Sequence, residues 1–143
     1  MLISTKGRYA LRVLVDLAET QQDTYVPLKD IAQRQDISEK YLEAILKTLV
    51  QSRVLVGLRG KGGGYRLGKS PEQITVGSIL RLTEGSISPV ACLGPNSELC
   101  PRMADCRTLP MWKKLDEMIT NYLDSVTIAD LVGQPDGSYT YVI

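Results

Sequence analysis

Three cysteines are the residues best suited to chemistry in this chain of 143 residues. Cys92, Cys100 and Cys106 form the pattern C-x7-C-x5-C within CLGPNSELCPRMADC, and the chain contains no histidine. Zinc sites usually pair cysteines that are roughly two to four residues apart, so this spacing is only a weak indication of zinc. Iron–sulfur clusters accept thiolates from irregular loops, and the turn-forming Gly94-Pro95 favours such a loop here.

A metal or cluster bound by three thiols needs a fourth ligand from elsewhere. The candidates are Asp105, Glu98, a carboxylate of a partner subunit or a small exogenous ligand. Two alternatives need no metal: the cysteines are partly buried thiols, or they respond to oxidation. Their odd number argues against a framework of structural disulfides.

The rest of the sequence limits the classes of protein. The opening MLISTKGRYA lacks a charged region followed by an apolar run, so we expect no signal peptide. No apolar run reaches about 18 residues, so we expect no membrane span and a cytoplasmic location, where thiols stay reduced. Neither a nucleophile–base pair nor a cofactor fingerprint is present, so we do not expect an enzyme.

Charge is unevenly distributed along the chain. Residues 1–70 carry 12 Lys or Arg and 7 Asp or Glu, whereas residues 71–143 carry 5 and 9. A basic first half and an acidic second half favour a polyanion, such as nucleic acid, as a partner of the first half only. Chance alone also produces such a split, so charge does not decide the function.

Apolar periodicity predicts a helix-turn-helix in the first half. A helix over residues 5–20, capped by Ser4 and Thr5, is followed by a short helix in VPLKDIAQRQD. A tight turn at residues 36–38 leads to a second helix over residues 39–52, with Ser38 as its N-cap. In a helix-turn-helix, this second helix enters the major groove of DNA.

The outward face of that second helix carries groups that suit DNA. Hydroxyls and lysines bind phosphates and base edges, and Glu43 accepts from a cytosine amino group. An ordinary solvated helix face is the alternative. The predicted DNA-binding residues of this helix are Ser38, Glu39, Lys40, Tyr41, Glu43 and Lys47.

The segment VLVGLRGKGGGYRL predicts a β-hairpin with a basic, glycine-rich tip. Glycines let the tip turn and approach DNA closely, while its cations reach a phosphate or a narrow minor groove. A nucleotide-binding loop is the alternative, and the order of elements disfavours it, because the glycine-rich segment leads into a strand and not into a helix. The predicted DNA-binding residues of this wing are Arg59, Gly60, Lys61, Gly62, Gly63 and Tyr65.

The start of the first helix offers a further DNA contact. A helix N-terminus presents amide N–H groups and partial positive charge, which favour a phosphate. Thr5, Lys6 and Arg8 are therefore predicted DNA-binding residues, with plain capping as the alternative.

A short helix over residues 75–82 follows the wing, and Pro110 opens a long helix that extends to about residue 124. Apolar residues at steps of three and four along this helix predict a seam for a second copy of the chain, although packing on the same chain is the alternative. The closing SYTYVI alternates like an edge strand. The predicted seam consists of Trp112, Leu115, Ile119, Tyr122 and Val126.

The predicted fold is mainly α with a small β-hairpin wing. We expect a winged helix-turn-helix DNA-binding domain over residues 1–84, a cysteine loop over residues 85–107, and a dimerisation helix with a C-terminal tail over residues 108–143.

Several motifs carry a family resemblance that covers nearly the whole chain. STKGRYALRVLVDLA, Tyr41-Leu-Glu, RGKGGGYRL and the three-cysteine loop resemble the iron–sulfur-binding branch of the IscR/NsrR/CymR-type bacterial winged-helix regulators, the Rrf-two family. The resemblance implies a dimeric transcription factor in which Cys92, Cys100 and Cys106 hold a 2Fe-2S or 4Fe-4S cluster that changes DNA affinity or sequence choice.

The chain departs from this pattern at two ligand positions. Leu109 stands where IscR-like members have a histidine, and Arg8 stands where NsrR-like members have an acidic residue. Both departures leave the cluster type and the fourth ligand open.

The sequence thus predicts a homodimeric regulator, expected to be a repressor, that binds a double-stranded DNA operator and reports iron–sulfur, iron or redox status. The first alternative is a family member that controls cysteine or sulfur metabolism, or the response to nitrosative or oxidative stress, through thiol oxidation or partner binding. A more distant alternative is a zinc-stabilised adaptor without DNA affinity.

Overall fold

The computed structural model describes residues 2–20, 23–95 and 100–133. This part of the chain is mainly helical and contains one two-stranded antiparallel sheet, so the predicted mainly α fold with a hairpin wing is confirmed. In chain order the elements are α1 (Thr5–Glu19), α2 (Leu28–Gln35), α3 (Glu39–Gln51), β1 (Leu55–Leu58), β2 (Gly64–Leu67), α4 (Val76–Glu84), α5 (Leu109–Ser125) and α6 (Ile128–Leu131). Short 3-10 turns occupy Pro71–Gln73 and Ala91–Leu93.

Helix α1 is the centre of the core. Its apolar residues recur every three or four positions, and Ala10, Val13 and Leu14 have no exposed surface. The predicted Ser4 cap is confirmed, because the Ser4 hydroxyl accepts a hydrogen bond from Gly7 N at 3.2 Å. Helices α2, α3, α4 and α6 contact this one helix.

The turn between α2 and α3 has the geometry that a helix-turn-helix needs. Asp36 adopts a left-handed conformation with φ of 53°, and Ile37 is buried beneath the turn. Ser38 caps α3 as predicted and accepts from Tyr41 N at 3.2 Å. The inward face of α3 consists of its buried residues Leu42, Ile45, Leu46 and Leu49.

The wing is anchored to the helical core by a third stretch of chain. Strands β1 and β2 pair with Leu55 opposite Leu67 and Leu58 opposite Gly64. Tyr65 also exchanges two backbone hydrogen bonds of 2.8 Å with Val26, which precedes α2. A Cβ atom at Gly64 would lie 2.2 Å from Val26 O, so this close approach requires glycine.

Helices α4 and α5 pack together around a second, smaller apolar cluster of Val76, Leu80, Ile87 and Val126. A bidentate ion pair joins them, with Arg81 Nη1 and Nη2 at 2.8 and 2.9 Å from the Asp124 oxygens. Helix α5 starts at Leu109, one residue before the predicted first position, and ends one residue after the predicted end.

Helix α6 was not predicted. Thr127 caps it through hydrogen bonds exchanged with Asp130, and Ile128 is completely buried in the main core. The predicted strand SYTYVI falls on residues 138–143, which lie outside the described residues. Within the described ranges, no helix is long and apolar enough to cross a membrane.

Candidate DNA-binding surface and metal-ligating segment

A groove of about 550 Å³ runs between α3 and the wing. Four of the predicted DNA-binding residues line it: Glu43 and Lys47 from α3, and Arg59 and Tyr65 from the wing. The structure therefore brings two cations, one carboxylate and one phenol from separate elements onto one surface. Val50, Gln51, Gly57, Leu58 and Gly64 form the rest of the groove.

The first turn of α3 contacts α1 beside this surface. Ser38, Glu39 and Lys40 are exposed, as predicted for DNA-facing residues. Tyr41 is 39% exposed, and its ring meets the Tyr9 ring edge to face at 5.9 Å. The starts of α1 and α3 are thus neighbours.

Tyr9 and Arg12 are further candidate site residues, which the sequence patterns did not indicate. The guanidinium of Arg12 lies 5.0 Å from the Tyr9 ring centre, and Arg12 also hydrogen-bonds to Gln35 at the end of α2. Their spacing of three residues on a helix was the available signal, because such residues are neighbours on one face.

Near the N-terminus of α1, Thr5 and Arg8 are exposed and Lys6 is half-buried. Arg8 Nη2 donates to Thr5 Oγ1 at 3.2 Å. The phosphate contact predicted for these residues stays a prediction, whereas capping by Ser4 is observed.

The wing tip presents its cations on an open turn. Gly60 and Gly62 have positive φ values of 93° and 77°, and Gly63 N donates to Gly60 O across the turn. Arg59 and Lys61 are exposed at this tip. The backbone conformation is one that glycine adopts without strain.

The three cysteines all lie between α4 and α5, in residues 85–107, hereafter the cysteine segment. Cys92 sits in the 3-10 turn Ala91–Leu93, and each of Cys92, Cys100 and Cys106 is half-buried. A hydrogen bond with the Thr108 side chain, 3.4 Å from Cys106 Sγ, lowers the pKa of the Cys106 thiol, and the charge of Arg102 acts in the same direction. Lowering this pKa favours the thiolate, which is the form that binds metals.

The cysteine segment fits a metal or cluster by its donor chemistry, although its ligands are not assembled. Among the described residues, no three Cys, His, Asp or Glu side chains come together as a set that would hold a metal ion. Asp105 is exposed on a turn, and Glu98 lies outside the described residues. Both stay predictions as the fourth ligand.

Helix α5 presents an apolar stripe that is shifted from the predicted seam. Leu115 and Tyr122 are 37% and 43% exposed, whereas Trp112 and Ile119 are half-buried. The more exposed stripe consists of Met111, Leu115, Met118 and Tyr122. Val126 lies after the end of α5 and is buried within its own chain, so the structure corrects its assignment to the seam.

A helix-turn-helix followed by a β-hairpin wing, with a groove between them, defines a winged-helix DNA-binding protein. The sequence matches the Rrf2 family, described as "Iron-dependent Transcriptional regulator", over residues 3–134. The chain belongs to the Rrf2 family of transcriptional regulators, and the predicted resemblance is confirmed.

Several known proteins match this chain over most of its length. It is 38% identical over 136 residues to the HTH-type transcriptional regulator IscR of Yersinia enterocolitica, covering 95% of this chain and 82% of that protein. The structure of CymR of B. subtilis matches with a TM-score of 0.74 and 38% identity, covering 92% of this chain and 95% of that one. T. potens IscR matches with a TM-score of 0.74 and 31% identity, covering 100% and 94%. The chain is a transcriptional regulator, and the prediction that it is not an enzyme is confirmed.

Proposed function

We propose that the protein is a homodimeric, cytoplasmic repressor whose affinity for an operator depends on an iron–sulfur cluster held by Cys92, Cys100 and Cys106. The main observation in support of DNA binding is the groove between α3 and the wing. It is lined by Lys47 of α3 together with Arg59 and Tyr65 of the wing. Cationic and hydrogen-bonding groups from a helix and a wing on one surface suit a duplex, because the helix fits the major groove and the wing reaches the backbone.

Each predicted contact residue has a chemical role in this proposal. Lys47 and Arg59 neutralise phosphates, which supplies sequence-independent affinity. Glu43 lines the same groove and selects a cytosine amino group at the base edges. Ser38 and Tyr41 are exposed at the start of α3, and their hydroxyls donate hydrogen bonds to phosphate oxygens of the DNA backbone.

The cysteine segment supplies the regulatory part of the proposal. Its three cysteines provide thiolate ligands, and the fourth comes from Asp105, Glu98, the partner subunit or a small exogenous ligand. When bound, a 2Fe-2S or 4Fe-4S cluster supplies an iron- and redox-sensitive crosslink between these thiolates. The segment connects α4 to α5, so its ordering affects how the start of α5 is held relative to the DNA-binding domain (residues 1–84).

The exposed stripe on α5 is the proposed dimer contact. Met111, Leu115, Met118 and Tyr122 recur at steps of four, three and four residues, the spacing of a helix–helix seam. A two-fold dimer would present two copies of α3 to two half-sites of one operator.

The proposed cluster is tested on protein purified without oxygen. We expect a brown protein with broad visible absorption and near-equal iron and sulfide, and a colourless Cys92→Ala, Cys100→Ala, Cys106→Ala variant that remains folded. A colourless wild-type protein that contains zinc would contradict the cluster and favour the zinc-stabilised alternative.

Thiol-based control of cysteine metabolism is a second candidate. The chain is similar to CymR, the global cysteine regulator of B. subtilis. It is also similar to the oxidised form of Staphylococcus aureus CymR, with 30% identity and a TM-score of 0.69. The lowered pKa of Cys106 also favours a reactive thiolate. This candidate predicts metal-free protein even after attempted cluster reconstitution, with a DNA affinity that responds to oxidant in the wild type but not in Cys106→Ser.

A further inference from the structure

Glu84, the last residue of α4, is hydrogen-bonded to the residue that caps α1. Its Oε1 accepts from Ser4 N at 3.0 Å and from Ser4 Oγ at 2.6 Å. The same Ser4 hydroxyl accepts from Gly7 N and so closes the first turn of α1. Glu84 is therefore tied to the turn that carries three predicted DNA-binding residues, Thr5, Lys6 and Arg8.

The chain leaves room for this carboxylate. A Cβ atom at Gly7 would lie 2.4 Å from Glu84 Oε1, so only glycine at this position allows the contact without a shift. The partial positive charge at the start of α1 also favours a nearby carboxylate. Packing and electrostatics thus both hold Glu84 against the first turn of α1.

Glu84 also adjoins the cysteine segment, which begins at the next residue. It lines a cavity of about 560 Å³ whose other walls come from residues 85–95, including Ser86, Val90 and Pro95. Ala91 and Gly94 in the same wall flank the turn that contains Cys92. Glu84 therefore contacts the cap of α1 and also contributes to the open depression formed by the first part of the cysteine segment.

We propose that Glu84 is a positioning residue that fixes the first turn of α1 for a DNA phosphate and transmits the state of the cysteine segment to that turn. The carboxylate does not itself contact DNA. It orients Ser4, and through Ser4 the N–H groups and side chains of the turn. The transmission half rests on the proposed function, whereas the positioning half concerns DNA binding alone.

The positioning half is tested on cluster-free protein with a duplex selected from a random library by the wild type. We expect Glu84→Ala to weaken binding about 3- to 10-fold, the loss typical of a contact whose ordering hydrogen bonds are removed. The slope of log affinity against log salt should become shallower by about 1, because a phosphate contact is lost. Glu84→Gln should stay within about 2-fold of the wild type, since its amide oxygen accepts the same hydrogen bonds.

Matched controls separate positioning from general damage to the fold. Glu72→Ala removes an exposed glutamate from the turn Pro71–Gln73 and should leave affinity and salt slope unchanged. The thermal unfolding midpoint of each variant is recorded in parallel. Unchanged affinity and slope in Glu84→Ala would overturn the proposal, as would equal losses in Glu84→Gln and Glu84→Ala.

The transmission half is tested by comparing cluster-loaded and cluster-free protein. We expect Glu84→Ala to shrink the affinity ratio between the two forms at least about 3-fold, because coupling requires a contact that differs between states. A ratio equal to that of the wild type would overturn transmission. Failure of the wild type to select any duplex or to bind a cluster would instead contradict the proposed function.

Discussion

At the scale of single residues, Asp16 is a buried carboxylate whose partners come from the end of α2. It is 6% exposed and accepts from Arg34 Nε at 3.0 Å and Gln35 Nε2 at 2.8 Å. These bonds fix α2 on α1 and therefore set the orientation of the helix-turn-helix. Apolar periodicity did not predict the ion pair between Asp16 and Arg34, because Asp16 lies on a face that the pattern assigns to apolar residues.

Replacing Asp16 by Asn tests its contribution to stability. We expect a loss of about 1–3 kcal/mol in the free energy of unfolding, because the charge-assisted bonds to Arg34 weaken while the site stays buried. Urea denaturation measures this loss. The exposed Asp23 provides the control, and Asp23→Asn should change stability by less than about 0.5 kcal/mol. Equal effects of the two substitutions would contradict a structural role for Asp16.

The reactivity of Cys106 should depend on Thr108. Because the Thr108 hydrogen bond lowers the thiol pKa, Thr108→Val should raise it and move the onset of alkylation to higher pH. The rate of iodoacetamide reaction is measured against pH in a Cys92→Ala, Cys100→Ala background without metal. Ser88→Ala, which removes a hydroxyl bonded to Leu93 O instead, is the control. An unchanged pH profile in Thr108→Val would show that this hydrogen bond does not activate the thiol.

At the scale of elements, prediction succeeded where the local pattern determines the structure. Helices α1, α3 and α5 follow apolar periodicity with capping residues, and their ends lie within one residue of the predicted positions. Helix α6 spans only Ile128–Leu131, which is too short to show a helical period. The backbone pairing of Val26 with Tyr65 depends on tertiary contact between distant segments, so no local pattern indicates it.

The ion pair between α4 and α5 should give an acid-sensitive contribution to stability. The hydrogen bond from Arg81 lowers the pKa of Asp124 below its ordinary value of 3.8. The contribution is therefore present above about pH 3.8 and is lost as the pH falls through the folded-state pKa. Both side chains are about 40% exposed, so solvent screening limits the contribution to less than about 1 kcal/mol.

Comparing Asp124→Asn with the wild type tests this pair. The variant should be slightly less stable to urea at neutral pH, and the difference should vanish towards acid pH. The exposed Glu117 of α5 serves as a control through Glu117→Gln. A stability difference for Asp124→Asn that stays constant through the acid range would contradict the assignment.

At the scale of the whole molecule, the charge asymmetry corresponds to a division of surfaces. The basic first half contains α1, α3 and the wing, and its Lys47 and Arg59 line the groove. The acidic second half contains α5 and the whole cysteine segment. Sequence patterns located the proposed DNA-binding residues on a helix and a hairpin, because those residues follow one another along the chain. They did not predict the Tyr9–Tyr41 contact, which arises only when α1 and α3 pack together.

The salt dependence of DNA affinity distinguishes cations that contact phosphates from cations that do not. Lys47→Ala and Arg59→Ala should each weaken binding to a selected duplex and reduce the slope of log affinity against log salt by about 1. Lys113→Ala removes an exposed cation from α5, away from the groove, and should change neither quantity. A slope that Lys113→Ala reduces as much as Lys47→Ala would contradict the proposed DNA-binding surface.

We propose above all that a cluster on Cys92, Cys100 and Cys106 sets DNA affinity. The most direct measurement is an oxygen-free titration of one selected duplex with cluster-loaded wild type and with the Cys92→Ala, Cys100→Ala, Cys106→Ala variant. We expect both proteins to be dimeric and their affinities to differ by at least about 5-fold, the lower end of typical allosteric coupling. Equal affinities of two folded, dimeric proteins would contradict the account, because the cluster would then have no influence on DNA binding.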